Sequence, residues 1–247
     1  MRNILIAGAS RGLGKYLFDK LSKTDGYVIG ISRSGDNDTV MCDINSPSGV
    51  DRLMGSIRPI THFVCTAGVY GPLGPFHQKS FDDWQFAVRT NLFGPARIAH
   101  ALIPNMIENS YGKIVFLSGG GATRAMYGAS SYGASKSGLV RFAETLAVEL
   151  HKYNIDVNCV APGPMDTQFL DQALQAGISA IGEEFYSECL HQKEVGGAGF
   201  EPATNLTEYL LSSDSDGVTS NLISAVWDDL NEIPNGISDL YSLKRTK

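Results

Sequence analysis

The sequence predicts an α/β fold with a doubly wound, mostly parallel sheet of about seven strands and helices on both faces. Two observations predict this architecture. Short apolar runs of strand length alternate with segments of helical periodicity, which is the pattern of successive βαβ units. The first of these runs, residues 3–8, leads directly into a glycine-rich turn and then into a helical pattern. We expect one domain over residues 1–247, because no internal repeat or low-complexity linker interrupts the pattern.

The predicted strands lack polar alternation, as expected for parallel strands that are buried on both faces. They cover residues 3–8, 27–31, 39–42, 62–65, 113–117, 155–161 and 221–226. Helical patterns cover residues 13–21, 81–108, 130–153, 166–189 and 201–212.

Some helical patterns contain local conflicts. Ser80 is a candidate N-cap for 81–108, and Pro95 and Pro104 predict kinks or an interruption within it. Asn91 is a poor helix former in the middle of the same segment, which invites either a functional role or a satisfied buried amide. We expect residues 192–199 to form a glycine-rich loop, and the polar residues 231–247 to wrap the surface or a neighbouring subunit.

Composition excludes several classes of function. The net charge of −6 and the pI of about 5.3 argue against a nucleic-acid surface. The four cysteines and five histidines show no metal-ligand spacing, so we expect no metal. Without a signal-peptide pattern or an apolar run of membrane length, we expect a cytoplasmic protein that does not enter a membrane.

The glycine-rich turn has the context of a dinucleotide-binding fingerprint, between a buried strand and a helix. Gly8 permits a tight turn, Gly12 allows the backbone to approach a pyrophosphate, and Gly14 allows the helix to pack closely on the strand. The helix N-terminus offers unpaired N–H groups to that phosphate. We therefore expect cofactor contacts from Gly8, Ser10, Arg11, Gly12, Leu13 and Gly14, although three glycines are also compatible with an ordinary turn.

The end of the second strand indicates which dinucleotide is bound. NAD-specific pockets usually carry a carboxylate there, whereas this chain has Ser32 followed by Arg33. Arg33 and Arg11 are suited to bidentate contact with a 2′-phosphate, which favours NADP(H) over NAD(H). The alternative is that Arg33 is a solvated loop cation. Asp43 is placed to reach the adenine edge or to cap the following turn.

Further candidates follow the other strands, because ligands bind at the carboxyl ends of strands in open α/β sheets. Ala67 and Gly68 would let a ribose lie against the backbone, or form a plain β-turn. Ser118 follows the fifth predicted strand, and Pro162 and Gly163 follow the sixth. Residues 164–200, with a break at 176–178, are a natural substrate lid.

Tyr132 and Lys136 share one face of the helix over 130–153, because they are four residues apart. A free phenol has a pKa of about 10, and a cation beside it lowers that value. The pair would then exchange a proton with a carbonyl or alcohol near neutral pH. The competing interpretation is a surface tyrosine and lysine that happen to stack on one helix.

With these residues in place, the chain resembles the short-chain dehydrogenase/reductase family over nearly its whole length. The spacing of Gly8, Gly12 and Gly14 is that of the family's cofactor loop, and residues 65–68 are similar to its Asn-Asn-Ala-Gly segment. The other matching positions are Asn91, Tyr132, Lys136, Pro162 and Gly163. The resemblance implies a Rossmann fold and an NAD(P)-dependent oxidoreductase that acts on a carbonyl or alcohol of a small molecule.

The resemblance also implies roles for these residues. Tyr132 exchanges the proton, Lys136 lowers the pKa of Tyr132 and binds the nicotinamide ribose, and Asn91 holds a water that links Lys136 to solvent. It further implies a homodimer or homotetramer that associates through the two long helices.

One position departs from the family pattern. The catalytic serine is expected thirteen residues before Tyr132, where this chain has Gly119. Ser118 is adjacent and would supply the hydroxyl if the glycine run shifts the backbone. Otherwise Ser130, Ser131 or a water orients the substrate oxygen, or catalysis is weak.

Two alternatives to a general carbonyl reductase stay open. Residues 222–229 are similar to saccharide-biosynthesis reductases, which points to a sugar or nucleotide-sugar substrate. Gly119 is also compatible with a dinucleotide-binding regulator of impaired turnover.

Overall fold

The computed structural model describes residues 2–229 and 233, and these form a seven-stranded sheet whose neighbouring strands are all parallel. The strands are β1 (Asn3–Ala7), β2 (Tyr27–Ser32), β3 (Val40–Met41), β4 (His62–Cys65), β5 (Gly112–Leu117), β6 (Ile155–Ala161) and β7 (Leu222–Ser224). Their order in the sheet is β3-β2-β1-β4-β5-β6-β7. The predicted doubly wound parallel sheet is confirmed.

Helices cover both faces of the sheet. They are α1 (Gly12–Thr24), α2 (Pro47–Met54), α3 (Phe81–Val88), α4 (Gly94–Glu108), α5 (Ser130–Leu150), α6 (Gln168–Ala176), α7 (Ile178–Ile181), α8 (Glu183–Val195) and α9 (Glu201–Leu210). Successive side chains of a strand point to opposite faces. Accordingly, Leu5 belongs to the core under α2, α4 and α5, whereas Ile4 and Ile6 belong to the core under α1 and α9.

The strand order reverses at β1, which pairs with β2 on one side and with β4 on the other. Ala7, the last residue of β1, lies opposite both Ile31 and Cys65. Cys65 in turn lies opposite Phe116 of β5. These strands therefore end at nearly the same level, and the loops that follow them meet above one edge of the sheet.

The helical pattern over 81–108 is interrupted, but the interruption is a π-helical turn over Arg89–Phe93. Pro104 lies inside α4 and does not end it, so the interruption falls before Pro95 and not at Pro104. Ile98 and Met106 are fully buried on either side of it, and this packing outweighs the lost hydrogen bond. Ser80 caps α3 as predicted, since its hydroxyl accepts a hydrogen bond from Asp83 N at 3.2 Å.

Residues 164–200 form a small helical unit above the sheet. The predicted break is confirmed at Gly177, which has φ +80° and separates α6 from α7. The predicted loop over 192–199 is wrong in its first part, because α8 continues to Val195 and ends on Gly196 in the left-handed conformation. The unit has its own core, in which Leu170 and Cys189 are buried.

The polar segment over 231–247 lies outside the described residues, apart from buried Ile233. Within the described part of the chain, none of the helices combines the length and apolar character that crossing a membrane requires.

His62 lies at the opposite end of the sheet from the loops described above, and it predicts a pH-dependent stability. Burial, followed by the charges of Arg2 and Lys113, lowers the pKa of His62 to about 4. The unfolded chain takes up this proton near the ordinary value of 6.5, whereas the folded chain does not. The free energy of unfolding should therefore decrease by about 3 kcal/mol as the pH falls from 6.5 to 4.

Urea denaturation at about pH 7 and about pH 4.5 measures this decrease. His62→Leu removes the titrating group, so the variant should lose roughly 2 kcal/mol less than the wild type over the same interval. Equal losses in the two proteins would show that His62 is not the group responsible.

Candidate active site

A cavity of about 1560 Å³ runs along the carboxyl ends of the strands. Every residue that the sequence predicts as a cofactor contact lines it, as does Ser118. The lining contacts are Gly8, Ser10, Arg11, Gly12, Leu13, Gly14, Ser32, Arg33, Asp43, Ala67, Gly68, Tyr132, Lys136, Pro162 and Gly163. Asn91 is fully buried and does not line the cavity.

The glycine turn forms a tight backbone cradle at one end of this cavity. Gly8 has φ +90°, and its N–H donates to Ile31 O at 2.9 Å. A Cβ atom on Gly8 would lie 2.6 Å from Ala67 N, and one on Gly14 would overlap the carbonyl oxygen of Gly8. Helix α1 begins at Gly12, so its unpaired N–H groups face the same space. These features fit a dinucleotide pyrophosphate.

The rim beside the cradle carries two arginines. Arg33 is exposed, and Arg11 donates from Nη1 to Gln168 Oε1 at 2.6 Å. Ser32 is buried, and its hydroxyl lies 2.7 Å from Thr39 Oγ1 within the loop. Both arginines are exposed, but Arg33 is the one without a side-chain hydrogen bond or ion pair to another described residue, and the hydroxyl of Ser32 is occupied by the loop.

Asp43 and Gly163 have local structural roles as well as positions on the cavity wall. Asp43 Oδ1 accepts a hydrogen bond from Asn45 N at 2.9 Å, which is the turn-capping alternative. Gly163 has φ +81°, and a Cβ atom there would overlap Val226. Both positions shape the edge of the sheet around the cavity.

Tyr132 and Lys136 are both buried, which excludes the interpretation that they are a surface pair. Lys136 Nζ donates to Leu117 O at 2.6 Å and lies 5.9 Å from the centroid of the Tyr132 ring. Burial raises the pKa of Tyr132 to about 12 and lowers the pKa of Lys136. Loss of solvation dominates the pKa of both groups, so the lowering of the Tyr132 pKa by Lys136 stays a prediction.

Asn91 lies in the π-helical turn, and this geometry resolves its conflict with helix propensity. Its side-chain amide accepts from Val69 N and donates to Val69 O, both at 2.8 Å, and also donates to Ser135 Oγ at 2.9 Å. The amide is therefore satisfied, and it fixes the loop that contains Gly68 to α5.

Gly119 lies directly beside the Tyr132 hydroxyl, and Ser118 precedes it on the wall of the same cavity. A Cβ atom on Gly119 would overlap that hydroxyl oxygen, so Tyr132 occupies the space that a serine side chain at this position would need. Ser118 is 5% exposed, and its Oγ has no hydrogen-bond partner within the described residues. An unpaired buried hydroxyl is costly, so a polar partner is expected for it.

The other two candidate serines are already engaged. Ser130 Oγ accepts a hydrogen bond from Trp84 Nε1 at 3.1 Å, and Ser131 Oγ donates to Tyr70 O at 2.9 Å. Of the three candidate serines, Ser118 is thus the one whose hydroxyl has no hydrogen-bond partner within the described residues, and its role stays a prediction.

Two features of the cavity were not predicted from the sequence. Tyr70 and Phe169 contact the ring of Tyr132, and Phe185 contacts Tyr70. Arg124 forms a two-pronged ion pair with Glu188 of α8. All five side chains line the cavity. These contacts join segments that are far apart in sequence, so no local pattern could have indicated them.

The glycine cradle, the reversal of strand order at β1 and the buried Tyr132–Lys136 pair together define a dinucleotide-binding enzyme of the oxidoreductase class. The model of the short chain dehydrogenase family matches residues 2–176. The chain belongs to this family, and it is an oxidoreductase that transfers hydride between a nicotinamide cofactor and a carbonyl or alcohol group.

Curated relatives agree with this assignment. The chain is 28% identical over 243 residues to an acetoacetyl-CoA reductase of Shinella zoogloeoides, a match that covers 91% of this chain and 96% of the relative. It is 32% identical over 190 residues to the 3-oxoacyl-[acyl-carrier-protein] reductase FabG of Aggregatibacter actinomycetemcomitans, covering 68% and 78% of the two chains.

Solved structures show the same fold. An NADPH-containing structure of a variant actinorhodin polyketide ketoreductase matches with a TM-score of 0.80 and 22% identity, covering 90% of this chain and 95% of that one. An NAD⁺-bound xylitol dehydrogenase matches with a TM-score of 0.79 and 22% identity, covering 90% and 96%.

Proposed function

We propose that the protein is an NADPH-dependent reductase of small-molecule carbonyl compounds in which Tyr132 supplies the proton. The observation that carries this proposal is the convergence of the Tyr132 phenol and the unpaired Ser118 hydroxyl on the cavity that the glycine cradle also lines. The relatives named as reductases of acetoacetyl-CoA and 3-oxoacyl groups support the reducing direction.

The roles of the residues follow from their surroundings. The cofactor supplies the hydride when bound. With its pKa raised by burial, Tyr132 is a neutral phenol at pH 7, which is the state that donates a proton to a developing alkoxide. Lys136, next to it on the cavity wall, would bind the nicotinamide ribose and favour the phenolate that remains after transfer.

Asn91 would hold the water that returns a proton to Lys136, and it would do so through its backbone carbonyl. Its side-chain amide is occupied by Val69 and Ser135. Pro95, four residues later, has no N–H, so the usual i to i+4 helical hydrogen bond to this carbonyl cannot form. A Cβ atom on Gly68 would lie 3.4 Å from Asn91 Oδ1 and 3.5 Å from Lys136 Nζ, so the two residues are close neighbours.

Loss of NADPH absorbance with a panel of ketones, aldehydes and sugars tests this function, together with direct titration of NADPH and NADH. We expect turnover of at least one ketone class. Tight dinucleotide binding without turnover of any compound would instead support the regulator alternative, which Gly119 motivates.

Ser118 should orient the substrate oxygen, and Ser118→Ala tests this role. Removing one hydrogen-bond donor to a reacting oxygen typically costs about 100-fold in kcat, so we expect a loss of that size with unchanged NADPH affinity. Ser130→Ala is the matched control, because that hydroxyl already pairs with Trp84, and its kcat should stay near wild type. A larger loss in Ser130→Ala than in Ser118→Ala would show that Ser118 is not the serine that orients the substrate oxygen.

Arg33 should distinguish NADPH from NADH. A charge-assisted hydrogen bond contributes about 1.5–3 kcal/mol, so Arg33→Ala should weaken NADPH binding by about 10- to 100-fold and leave NADH binding nearly unchanged. Calorimetric titration measures both affinities, with Arg58→Ala as the control because Arg58 stacks on Tyr27 and does not line the cavity. Equal weakening of both cofactors would contradict a 2′-phosphate contact.

The lid is the next part of the proposal: residues 164–200 would open and close over the substrate.

Two exposed apolar side chains support a homodimer or homotetramer that associates through α4 and α5. Phe93, in the turn just before α4, is 55% exposed, and Val148, in α5, is 75% exposed. Analytical ultracentrifugation of the full chain measures the assembly.

A further inference from the structure

Three aromatic rings enclose the side of the cavity next to the Tyr132 phenol. Tyr70 contacts Tyr132 edge to face with ring centroids 4.9 Å apart, and it contacts Phe169 in the same manner at 4.7 Å. Phe185 lies 6.3 Å from Tyr70, and Phe169 lies 6.2 Å from Tyr132. We call Tyr70, Phe169 and Phe185 the ring wall. These separations are in the range that aromatic pairs prefer.

The ring wall is largely apolar, and its single polar side-chain group is the Tyr70 hydroxyl. Burial raises the pKa of Tyr70, so this phenol stays uncharged over the whole physiological range. Tyr70 and Phe185 also pack against Leu170 and Cys189 in the small core of the lid. Apart from the Tyr70 hydroxyl, the surface beside the reacting hydroxyl therefore consists of ring faces and edges.

Several polar side chains of this part of the cavity already have partners. Arg124 and Glu188 pair with each other and are half exposed, which places them at the rim of the cavity. Gln192 Nε2 donates to Met165 O at 2.7 Å, and Thr123 Oγ1 donates to Gly120 O at 3.1 Å. A sugar that buried its hydroxyls here would lose hydrogen bonds to water without replacing them through these groups.

We propose that the ring wall selects carbonyl compounds with a flat, apolar group, preferably an aryl group, directly beside the carbonyl. This inference rests on the proposed function and deepens it by naming the substrate class. The carbonyl oxygen would meet Tyr132 and Ser118, while the flat group lies against the ring wall. The same surroundings disfavour the sugar and nucleotide-sugar alternative.

Steady-state kinetics with NADPH and three carbonyl compounds test the inference: acetophenone, butanone and glucose. Burying the additional ring should raise kcat/KM for acetophenone over butanone by about 100-fold. Glucose should not be reduced detectably. Reduction of glucose as efficient as that of acetophenone would overturn the inference.

Phe185→Leu isolates the ring wall from the chemistry, because Phe185 contacts Tyr70 and not Tyr132. We expect KM for acetophenone to rise about tenfold and kcat/KM for butanone to fall by a smaller factor, because its ethyl group buries less area against the ring wall than a phenyl ring does. Phe81→Leu is the matched control, since Phe81 is an exposed aromatic residue that stacks on Trp84 and does not line the cavity. An equal loss for both ketones in Phe185→Leu would contradict a role in selectivity.

A binding measurement separates this inference from the proposed function. Calorimetric titration of acetophenone into the NADP⁺-loaded protein, which has no hydride to transfer, should show binding about tenfold tighter in the wild type than in Phe185→Leu. If no ketone is reduced but this difference is present, the proposed function fails while the ring wall stands. If ketones are reduced but the difference is absent, the ring wall fails alone.

Discussion

Replacing Tyr132 by phenylalanine should reduce kcat for carbonyl reduction by about 1,000-fold or more, since general acid catalysis contributes 10² to 10⁴-fold and Tyr132 also lies beside the reacting oxygen. The variant keeps the ring that packs against Tyr70 and Phe169, so the fold should be unchanged. Stopped-flow measurement of hydride transfer from NADPH, together with circular dichroism, checks both expectations.

Tyr127→Phe is the control, because it removes a phenol from the loop just before α5. Tyr127 is 60% exposed, and its variant should retain wild-type kcat. NADPH affinity should also be unchanged in Tyr132→Phe, because the proton donor is not needed to hold the pyrophosphate. If Tyr132→Phe keeps more than a tenth of wild-type kcat, the Tyr132 phenol is not the proton donor.

Adding a single methyl group at Gly119 should have the second largest effect. A Cβ atom there overlaps the Tyr132 hydroxyl, so Gly119→Ala must displace the phenol by a substantial fraction of an ångström. Misplacing a catalytic group by about 1 Å costs on the order of 100-fold in rate. Steady-state kcat with the preferred ketone measures the loss.

Gly120→Ala is the matched control, because a Cβ atom on Gly120 would meet no atom within 4 Å. It should keep kcat within about threefold of wild type, as surface substitutions usually do. Gly119→Ser should be as impaired as Gly119→Ala, since its side chain needs the same space. A gain of activity in Gly119→Ser would show that the missing serine was lost without replacement and that Ser118 does not serve in its place.

The parts of this site that sequence reasoning could predict are those with a local cause. The glycine turn is readable because a strand, three glycines and a helix follow one another without a gap. Tyr132 and Lys136 are readable because four residues bring two side chains onto one helix face. The cavity collects all the predicted contacts because parallel strands end at one edge of a sheet.

The parts that could not be predicted depend on packing between distant segments. The pKa of Tyr132 is raised because the fold buries it, and burial is not visible in a pattern of five residues. Pro104 stays within α4 because residues around it fill the core. Phe185 reaches Tyr70 across 115 positions of sequence, from a helix whose periodicity says nothing about what it faces.

Glycine at position 119 shows how the two kinds of information combine. The sequence identifies it as a departure from the family pattern, and on that basis alone a regulator without turnover is a reasonable alternative. The geometry adds that Tyr132 fills the space and that Ser118 has a buried hydroxyl without a partner among the described residues. We therefore interpret glycine at position 119 as a shift of the serine hydroxyl from position 119 to position 118, and the Gly119 and Ser118 variants test that interpretation.

A crystal structure of the protein with NADP⁺ and a bound ketone would show whether Tyr132 faces the reacting atoms. We expect the ketone oxygen to lie within about 2.6–3.2 Å of the Tyr132 hydroxyl. We also expect the carbonyl carbon to lie about 3–3.5 Å from C4 of the nicotinamide ring. A nicotinamide ring bound away from Tyr132, or a ketone oxygen that meets neither Tyr132 nor Ser118, would contradict this arrangement.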